Sequence, residues 1–180
     1  CFYNLGQPEK FNLIELGPGR GTLMADIVRT IERLGLGGKF TITLVETNPH
    51  LRDLQKQNLL WQKVQWLKDF GDLVAGENPN IVIGNEFLDC FPIRQFVLTD
   101  KGWHERLVGL ENEALVFGFG PKMANPPFNA PKSAKIGTIC EFAPMMESFI
   151  AKISDILKAN SGYALFIDYG HFGDETGDSF

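Results

Sequence analysis

Hydrophobic residues in the first 90 positions alternate between short apolar runs and helical repeats. Four apolar runs predict buried strands, at residues 11–16, 40–45, 64–67 and 81–84. Between the first two runs, apolar residues recur at helical spacing from Leu23 to Leu34, and Gly35 is a typical helix stop. Asn48 and Pro49 predict the N-cap and first residue of a second helix. Strands that alternate with helices favour an α/β fold with a parallel sheet.

The pattern changes after residue 90. Short turn sequences separate the strand-like runs 95–99, 103–110 and 115–119, which predicts an antiparallel insertion. We place the insertion at residues 91–142 and expect it to face the substrate. It includes a loop rich in Pro, Asn and Lys at 121–135 and a strand-like run at 136–142.

A long helix and a fifth core strand complete the predicted elements. The helix is expected to begin at Pro144 and to end at Gly162. The strand occupies residues 163–167, and we expect it to form an open edge of the sheet. One face of the helix is apolar, with Met146, Phe149, Ile150, Ile153 and Leu157.

The composition is that of one globular domain, at 180 residues with 44% hydrophobic and 22% charged residues. A net charge of −5 disfavours a broad nucleic-acid interface, which needs clustered cations. The three cysteines are scattered and form neither a disulfide framework nor a zinc knuckle, so no metal site is expected. No apolar stretch is long enough to cross a bilayer. Because the chain begins with Cys1 rather than Met, we expect a fragment of a longer protein and leave its targeting open.

A glycine-rich loop joins the first predicted strand to the first helix. Glycines permit positive φ and close approach of a ligand to the backbone. A dinucleotide loop has the pattern G-x-G-x-x-G, whereas Thr22 takes the place of the last glycine here. Glu15 would repel a pyrophosphate and suits the ammonium of a methionine group, so S-adenosyl-L-methionine (SAM) is favoured over a bare structural turn. The predicted loop contacts are Glu15, Gly17, Pro18, Gly19, Gly21 and Thr22.

Further polar residues follow the next predicted strands, where ligands of open parallel sheets bind. Glu46 is positioned to accept hydrogen bonds from ribose hydroxyls, with a solvated strand end as the alternative. Asp69 is assigned to the adenine amino group, although a turn or capping role fits equally well. Asn85 follows the fourth strand and is assigned to the same cofactor site, with helix capping as its alternative.

These motifs resemble the MidA-like SAM-dependent methyltransferases. The resemblance runs nearly end to end and is most specific at Asn85-Glu86-Phe87 and at Asp168-Tyr169-Gly170-His171. It implies a doubly wound, mostly parallel α/β sheet of the Rossmann-like methyltransferase type with strand order 3-2-1-4-5. It also implies a SAM cofactor and a protein arginine substrate, since mitochondrial members methylate arginine and help to assemble respiratory complex I. The expected location is the cytoplasm for a bacterial protein and the mitochondrial matrix for a eukaryotic one.

An arginine substrate requires carboxylates that bind its guanidinium group. Glu86 and Asp89 are the first choices for this catalytic role, with Glu141 in reserve. If Glu86 begins a helical turn, the spacing of three residues places both carboxylates on one face. His171 is a further residue that could approach a substrate, with a backbone-satisfied histidine as the alternative.

Two other functions stay open at the level of sequence. One is a non-catalytic assembly factor that keeps the SAM fold, and the other is a nucleotide-binding oxidoreductase. The sequence Asn125-Pro126-Pro127-Phe128 matches a signature of amide and adenine methyltransferases, but it lies in the predicted loop rather than directly after the fourth strand. We interpret it as a coincidence, and the oligomeric state is left open.

Overall fold

The apolar runs of the sequence form the strands of two sheets in the computed structural model, which describes residues 1–60, 62–170 and 177–178. Contacts divide the chain into two units: Cys1–Cys90 with Met146–Tyr169, and Phe91–Met145 with the described part of Gly170–Phe180. The helices are α1 (Thr22–Arg33), α2 (Pro49–Asn58) and α3 (Met146–Asn160). The strands are β1 (Phe11–Leu16), β2 (Phe40–Val45), β3 (Val64–Leu67), β4 (Asn80–Asn85), β5 (Arg94–Thr99), β6 (Gly102–Glu111), β7 (Ala114–Lys122), β8 (Ile139–Phe142) and β9 (Gly162–Ile167).

The first unit contains a parallel sheet of five described strands in the order β3-β2-β1-β4-β9. This order confirms the predicted fold class and the predicted arrangement 3-2-1-4-5. Leu16 pairs with Val45 on one side and with Gly84 on the other. The loops that follow β1, β2 and β4 therefore leave the sheet at the same edge.

Helix α1 covers one face of this sheet. Its buried residues Met24 and Val28 belong to a cluster that includes Leu13 of β1 and Leu44 of β2. Alternate strand residues point to the same face, so the side chains of β1 and β2 in this cluster follow the expected period of two. The helix ends close to the predicted stop, with Gly35 at a φ of +76°.

Helix α3 packs through Phe149, whose ring contacts Phe87 and Phe166 at centroid distances of 5.5 and 5.6 Å. Two details of its prediction are wrong. The helix begins at Met146 rather than Pro144, and it ends at Asn160, after which Ser161 has a φ of +63° and Gly162 already belongs to β9. Its buried face is Phe149, Ile153 and Ile156, whereas Ile150 is half exposed.

Strand β9 is the last strand of the sheet within the described residues, as expected for an open edge. Tyr163, Leu165 and Ile167 alternate along it and are all exposed. Tyr163 pairs with Ile81, and Ile81 pairs with Leu13, so the three exposed β9 side chains lie on the same face of the sheet as Leu13. Helix α1 covers that face at β1 and β2. The fifth strand is thus correctly placed but is poorly buried.

The second unit contains an antiparallel sheet in the order β7-β6-β5-β8. This confirms the antiparallel character predicted for the insertion. The predicted run 136–142 is too long, because only Ile139–Phe142 is a strand. The preceding residues form a turn in which Gly137 has a φ of +91° and donates its N–H to the Leu98 carbonyl. No helix within the described ranges is long and apolar enough to cross a membrane.

One carboxyl group lies in the core of the first unit. Glu15 follows the apolar residues of β1 and is only 3% exposed. Burial raises the pKa of its carboxyl from 4.5 to about 7, against the opposing effect of a hydrogen bond from the Met24 backbone N–H. Within the described part of the chain, its Oε2 atom has no hydrogen-bond partner.

We expect Glu15→Gln to flatten the pH dependence of stability. Between pH 4.5 and 7 the folded state keeps a proton that the unfolded state releases, so Glu15 costs stability as the pH rises and the cost is complete above pH 7. In total, ionisation of Glu15 lowers the free energy of unfolding by about 3 kcal/mol. Urea unfolding of wild type and variant at pH 5 and pH 8 measures it. The exposed Glu9→Gln is the control, and a Glu15→Gln profile parallel to wild type would contradict the assignment.

Candidate functional site

The glycine loop turns sharply between β1 and α1. Gly17, Gly19 and Gly21 have φ values of +60°, +54° and +78°, a region that only glycine adopts without strain. Gly21 is the N-cap of α1 and has no side chain to cap that helix end, although the Met24 N–H in the first turn bonds to the Glu15 carboxyl. The described residues leave the two N–H groups before it for a polar ligand group or for water.

The three glycines have different surroundings. A Cβ atom at Gly17 would lie 2.9 Å from the Phe87 ring, and one at Gly21 would lie 3.2 Å from Cγ of Gln55. Around Gly19 no described atom would lie within 4 Å of such a Cβ. Gly17 and Gly21 therefore allow close packing of the protein on itself, whereas Gly19 leaves open space over the backbone.

The other predicted loop contacts lie on either side of Gly19 along the chain. Glu15 precedes it with the unpartnered Oε2 atom, Pro18 is buried, and Thr22 is exposed at the first residue of α1. An open glycine backbone at a helix N-terminus suits an anionic group, and the buried acid suits a cationic one, so the site suits a small ligand that carries both. This combination fits the methionine part of SAM.

Glu46 follows the last residue of β2 and is only 7% exposed. Both of its carboxylate oxygens accept hydrogen bonds from protein groups. Oε1 accepts the backbone N–H of Asn48 at 2.9 Å, and Oε2 accepts Nε2 of Gln55 at 3.3 Å. The guanidinium group of Arg52 donates to the Glu46 backbone carbonyl at 2.7 and 2.5 Å. A carboxylate fixed in this way keeps further lone pairs that can accept ribose hydroxyls.

Asp69 lies at the N-terminus of a short 3-10 helix, Phe70–Asp72. Its Oδ1 atom accepts the Gly71 N–H at 2.7 Å, and the Asp72 carboxylate accepts the Asp69 N–H. The capping alternative is thus present in the structure. The binding of the adenine amino group by Asp69 stays a prediction, in which its Oδ2 atom would be the acceptor.

The chain after β4 differs from the predicted helical turn. Asn85 is the exposed last residue of β4 rather than the residue after it. Glu86 is also exposed and has a φ of +48°, which is not a right-handed helical conformation. A 3-10 turn begins two residues later and comprises Leu88–Cys90. The premise that Glu86 starts a helical turn is therefore wrong. The physical reason is Asp168, whose Oδ2 atom accepts the N–H groups of Leu88 at 2.7 Å and Asp89 at 3.3 Å and so starts the turn at that point.

Two residues after β9 join this group, and neither was among the predicted site residues. Asp168 holds the 3-10 turn, and the Tyr169 hydroxyl donates to Oε1 of Glu86 at 3.3 Å. The only sequence signal for them was their place in the Asp168-Tyr169-Gly170-His171 element of the family resemblance. His171 itself lies outside the described residues.

The carboxylates of Glu86, Asp89 and Asp168 all act on the same phenol and the same thiol. Repulsion from the Glu86 carboxylate is the largest cause of a raised pKa of the Tyr169 phenol, with smaller contributions from Asp89 and Asp168. The pKa of the Cys90 thiol is also raised, first by burial and then by Asp89, Asp168 and Glu86. Phenol and thiol therefore stay protonated near neutral pH beside a negative cluster. Such a cluster attracts a cation.

Glu141 lies on β8 in the second unit, where its Oε1 atom accepts Nε2 of Gln95 at 2.7 Å. Gln95 also accepts a hydrogen bond from Arg106 at 3.1 Å, and Arg106 pairs with Asp178 at 2.6 Å. Glu141 is thus part of a hydrogen-bonded network, and its reserve catalytic role stays a prediction. Asn125 follows β7 of the antiparallel sheet, which agrees with the interpretation of its motif as a coincidence.

Comparison with known proteins identifies similar chains. The Xenopus tropicalis "Protein arginine methyltransferase NDUFAF7, mitochondrial" is 29% identical over 97% of this chain and 46% of its own length. The mouse protein of the same name is 31% identical over 95% of this chain and 45% of its own. The chain thus spans slightly less than half the length of these relatives.

Solved structures show the same fold. A COG1565 superfamily member from Burkholderia thailandensis, crystallised with S-adenosyl-homocysteine, matches 94% of this chain and 44% of its own, with a TM-score of 0.75 and 26% identity. The family model described as "Putative S-adenosyl-L-methionine-dependent methyltransferase" matches residues 1–180. The chain therefore belongs to this family of S-adenosyl-L-methionine-dependent methyltransferases.

Proposed function

We propose that this chain forms the SAM-binding core of a methyltransferase that acts on protein arginine. The observation that carries the proposal is a glycine loop, open at Gly19, that directly follows the strand whose Glu15 has a buried Oε2 atom without a hydrogen-bond partner among the described residues. Family membership and the names of the relatives support methyl transfer over the alternative of a nucleotide-binding oxidoreductase.

The cofactor would lie along the edge formed by the ends of β1, β2 and β4. Glu15 suits its ammonium group, directly or through a water, and the glycine loop with the start of α1 would hold the methionine carboxylate. Glu46 would accept the ribose hydroxyls. Asp69 is proposed for the adenine amino group, and Asn85 lies beside the reacting end.

Bound SAM supplies an electrophilic methyl group on its sulfonium. The residues of this chain provide the environment for the acceptor. Glu86 and Asp89 would bind the guanidinium group of the substrate, and two bound nitrogens leave the third oriented for attack. The Tyr169 hydroxyl, which donates to Glu86, would hold this carboxylate in place. Residues 91–142 are proposed to face the protein substrate.

The names of the relatives, which describe mitochondrial proteins, support a proposal for the cellular setting. We propose the mitochondrial matrix for a eukaryotic source and the cytoplasm for a bacterial one. A role in complex I assembly is proposed from the family resemblance. A non-catalytic assembly factor with the same fold is the alternative that an activity measurement decides.

The first functional prediction concerns the glycine loop. Gly19→Val places a branched side chain in the space over the loop, so S-adenosyl-homocysteine should bind at least about 10-fold more weakly by calorimetry. Gly38→Val is the matched control, because Gly38 also has a positive φ, at +74°, and no described atom within 4 Å of an added Cβ. Both variants carry a similar backbone cost of about 1–2 kcal/mol.

The comparison of the two variants separates strain from ligand contact. Equal affinity in Gly19→Val and Gly38→Val, with both proteins folded, would remove Gly19 from the cofactor site. Weakened binding in Gly19→Val alone supports the assignment of the loop.

The second functional prediction concerns catalysis. Glu86→Gln should keep the fold and cofactor affinity but lower methyl transfer by about 100-fold or more, since an amide does not attract guanidinium. The measurement is transfer of radiolabelled methyl from SAM to lysate proteins by the full-length protein, with methylarginine identified by mass spectrometry. Glu77→Gln removes an exposed acid elsewhere in the same unit and serves as the control.

The outcomes are distinct. Wild-type turnover in Glu86→Gln would remove Glu86 from the catalytic residues. SAM binding without any methylarginine formation by the wild-type protein would favour the assembly-factor alternative.

A further inference from the structure

The amide of Gln55 connects two separate parts of the proposed cofactor site. Gln55 lies in the last turn of α2 and is fully buried, at 0% exposure. Its Nε2 group donates to the Gly19 carbonyl at 2.8 Å and to Oε2 of Glu46 at 3.3 Å. One side chain therefore bonds both the glycine loop and the carboxylate at the end of β2.

The orientation of this amide is set from its other side. The indole Nε1 of Trp66 donates to Oε1 of Gln55 at 3.0 Å. Indole nitrogen is a donor only, so it requires the oxygen of the amide on its side and leaves the NH₂ group toward Gly19 and Glu46. The reversed amide would bring its oxygen against two acceptors, which is unfavourable in a buried site.

The glycine loop also rests on Gln55 by packing. The backbone of Gly21 lies so close that an added Cβ would be 3.2 Å from Cγ and 3.4 Å from Cα of Gln55. A second residue of α2, Asn58, donates to the Arg20 carbonyl at 2.7 Å. Asn58 thus holds the loop alone, whereas Gln55 holds the loop and Glu46 together.

We propose that Gln55 is a positioning residue that fixes the Glu46 carboxylate relative to the glycine loop and so sets selectivity for the ribose hydroxyls of the cofactor. The inference rests on the proposed function, in which one ligand spans the loop and Glu46. Without Gln55, the Glu46 carboxylate keeps, among the described residues, only the Asn48 N–H on Oε1 and is free to rotate away from the ribose.

The experiment compares two ligands in each variant of the full-length protein. S-adenosyl-homocysteine and its 2′,3′-dideoxy analogue are titrated by calorimetry. The Kd of the dideoxy analogue divided by the Kd of S-adenosyl-homocysteine reports the contribution of the hydroxyl contacts. We expect wild type to prefer the hydroxylated ligand by about 10-fold or more. Gln55→Met, similar in size but without the amide, should lower this ratio by about 10-fold, and Trp66→Phe should lower it by about 3-fold.

Asn58→Ala is the matched control. It releases the loop at Arg20 without a contact to Glu46, so both ligands should weaken together and the ratio should stay at the wild-type value. A purely structural role of Gln55 would produce the same result as this control. The Kd ratio therefore moves only if Gln55 acts through Glu46.

Glu46→Gln separates failure of this inference from failure of the proposed function. If wild type does not bind S-adenosyl-homocysteine, or if Glu46→Gln keeps the wild-type ratio, the proposed cofactor site is wrong and the inference falls with it. If Glu46→Gln abolishes the preference while folded Gln55→Met keeps it, the inference alone is overturned. If circular dichroism shows that Gln55→Met does not fold, Trp66→Phe decides. A lowered Kd ratio in Trp66→Phe would support the inference, and a wild-type ratio would contradict it.

Discussion

Parallel pairing of β1 between β2 and β4 is the constraint on which the candidate site depends. Leu16 is level with Val45 and Gly84, so the next residues of all three strands emerge together. Pairing of β4 with β9 brings Asp168 to the same edge, since Asn85 pairs with Ile167. A slip of one strand would separate the acids from the glycine loop and would also turn apolar side chains out of the core.

Much of this framework could be predicted from sequence because it depends on local pattern. The bounds of β1, β2 and β3 match the predicted runs, since each run is apolar or alternating and is bordered by polar or glycine residues. The N-cap at Asn48 was equally local, with its side chain accepting the His50 N–H two residues along. The order of the strands was less local, because it came from the resemblance to a known family and not from the pattern of residues.

The parts that sequence did not give depend on partners far along the chain. The turn after β4 starts where Asp168, 80 residues from Leu88, supplies its cap. Gln55 has the appearance of an ordinary polar helix residue, because its hydrogen-bond partner Gly19 is 36 residues away and its burial arises only in the fold. Asp69 shows the opposite case, in which a local capping role was foreseen as an alternative and is present.

The backbone at Glu86 has a consequence for how this chain can change. A glutamate with a φ of +48° costs about 1–2 kcal/mol relative to a conformation that suits its side chain, and glycine would avoid that cost. Selection for stability alone would therefore favour glycine at position 86, whereas selection for a carboxylate beside Tyr169 favours glutamate. The proposed catalytic role of Glu86 would thus oppose stability at a single codon, and descendants of this chain that no longer need that role would be expected to lose the acid there first.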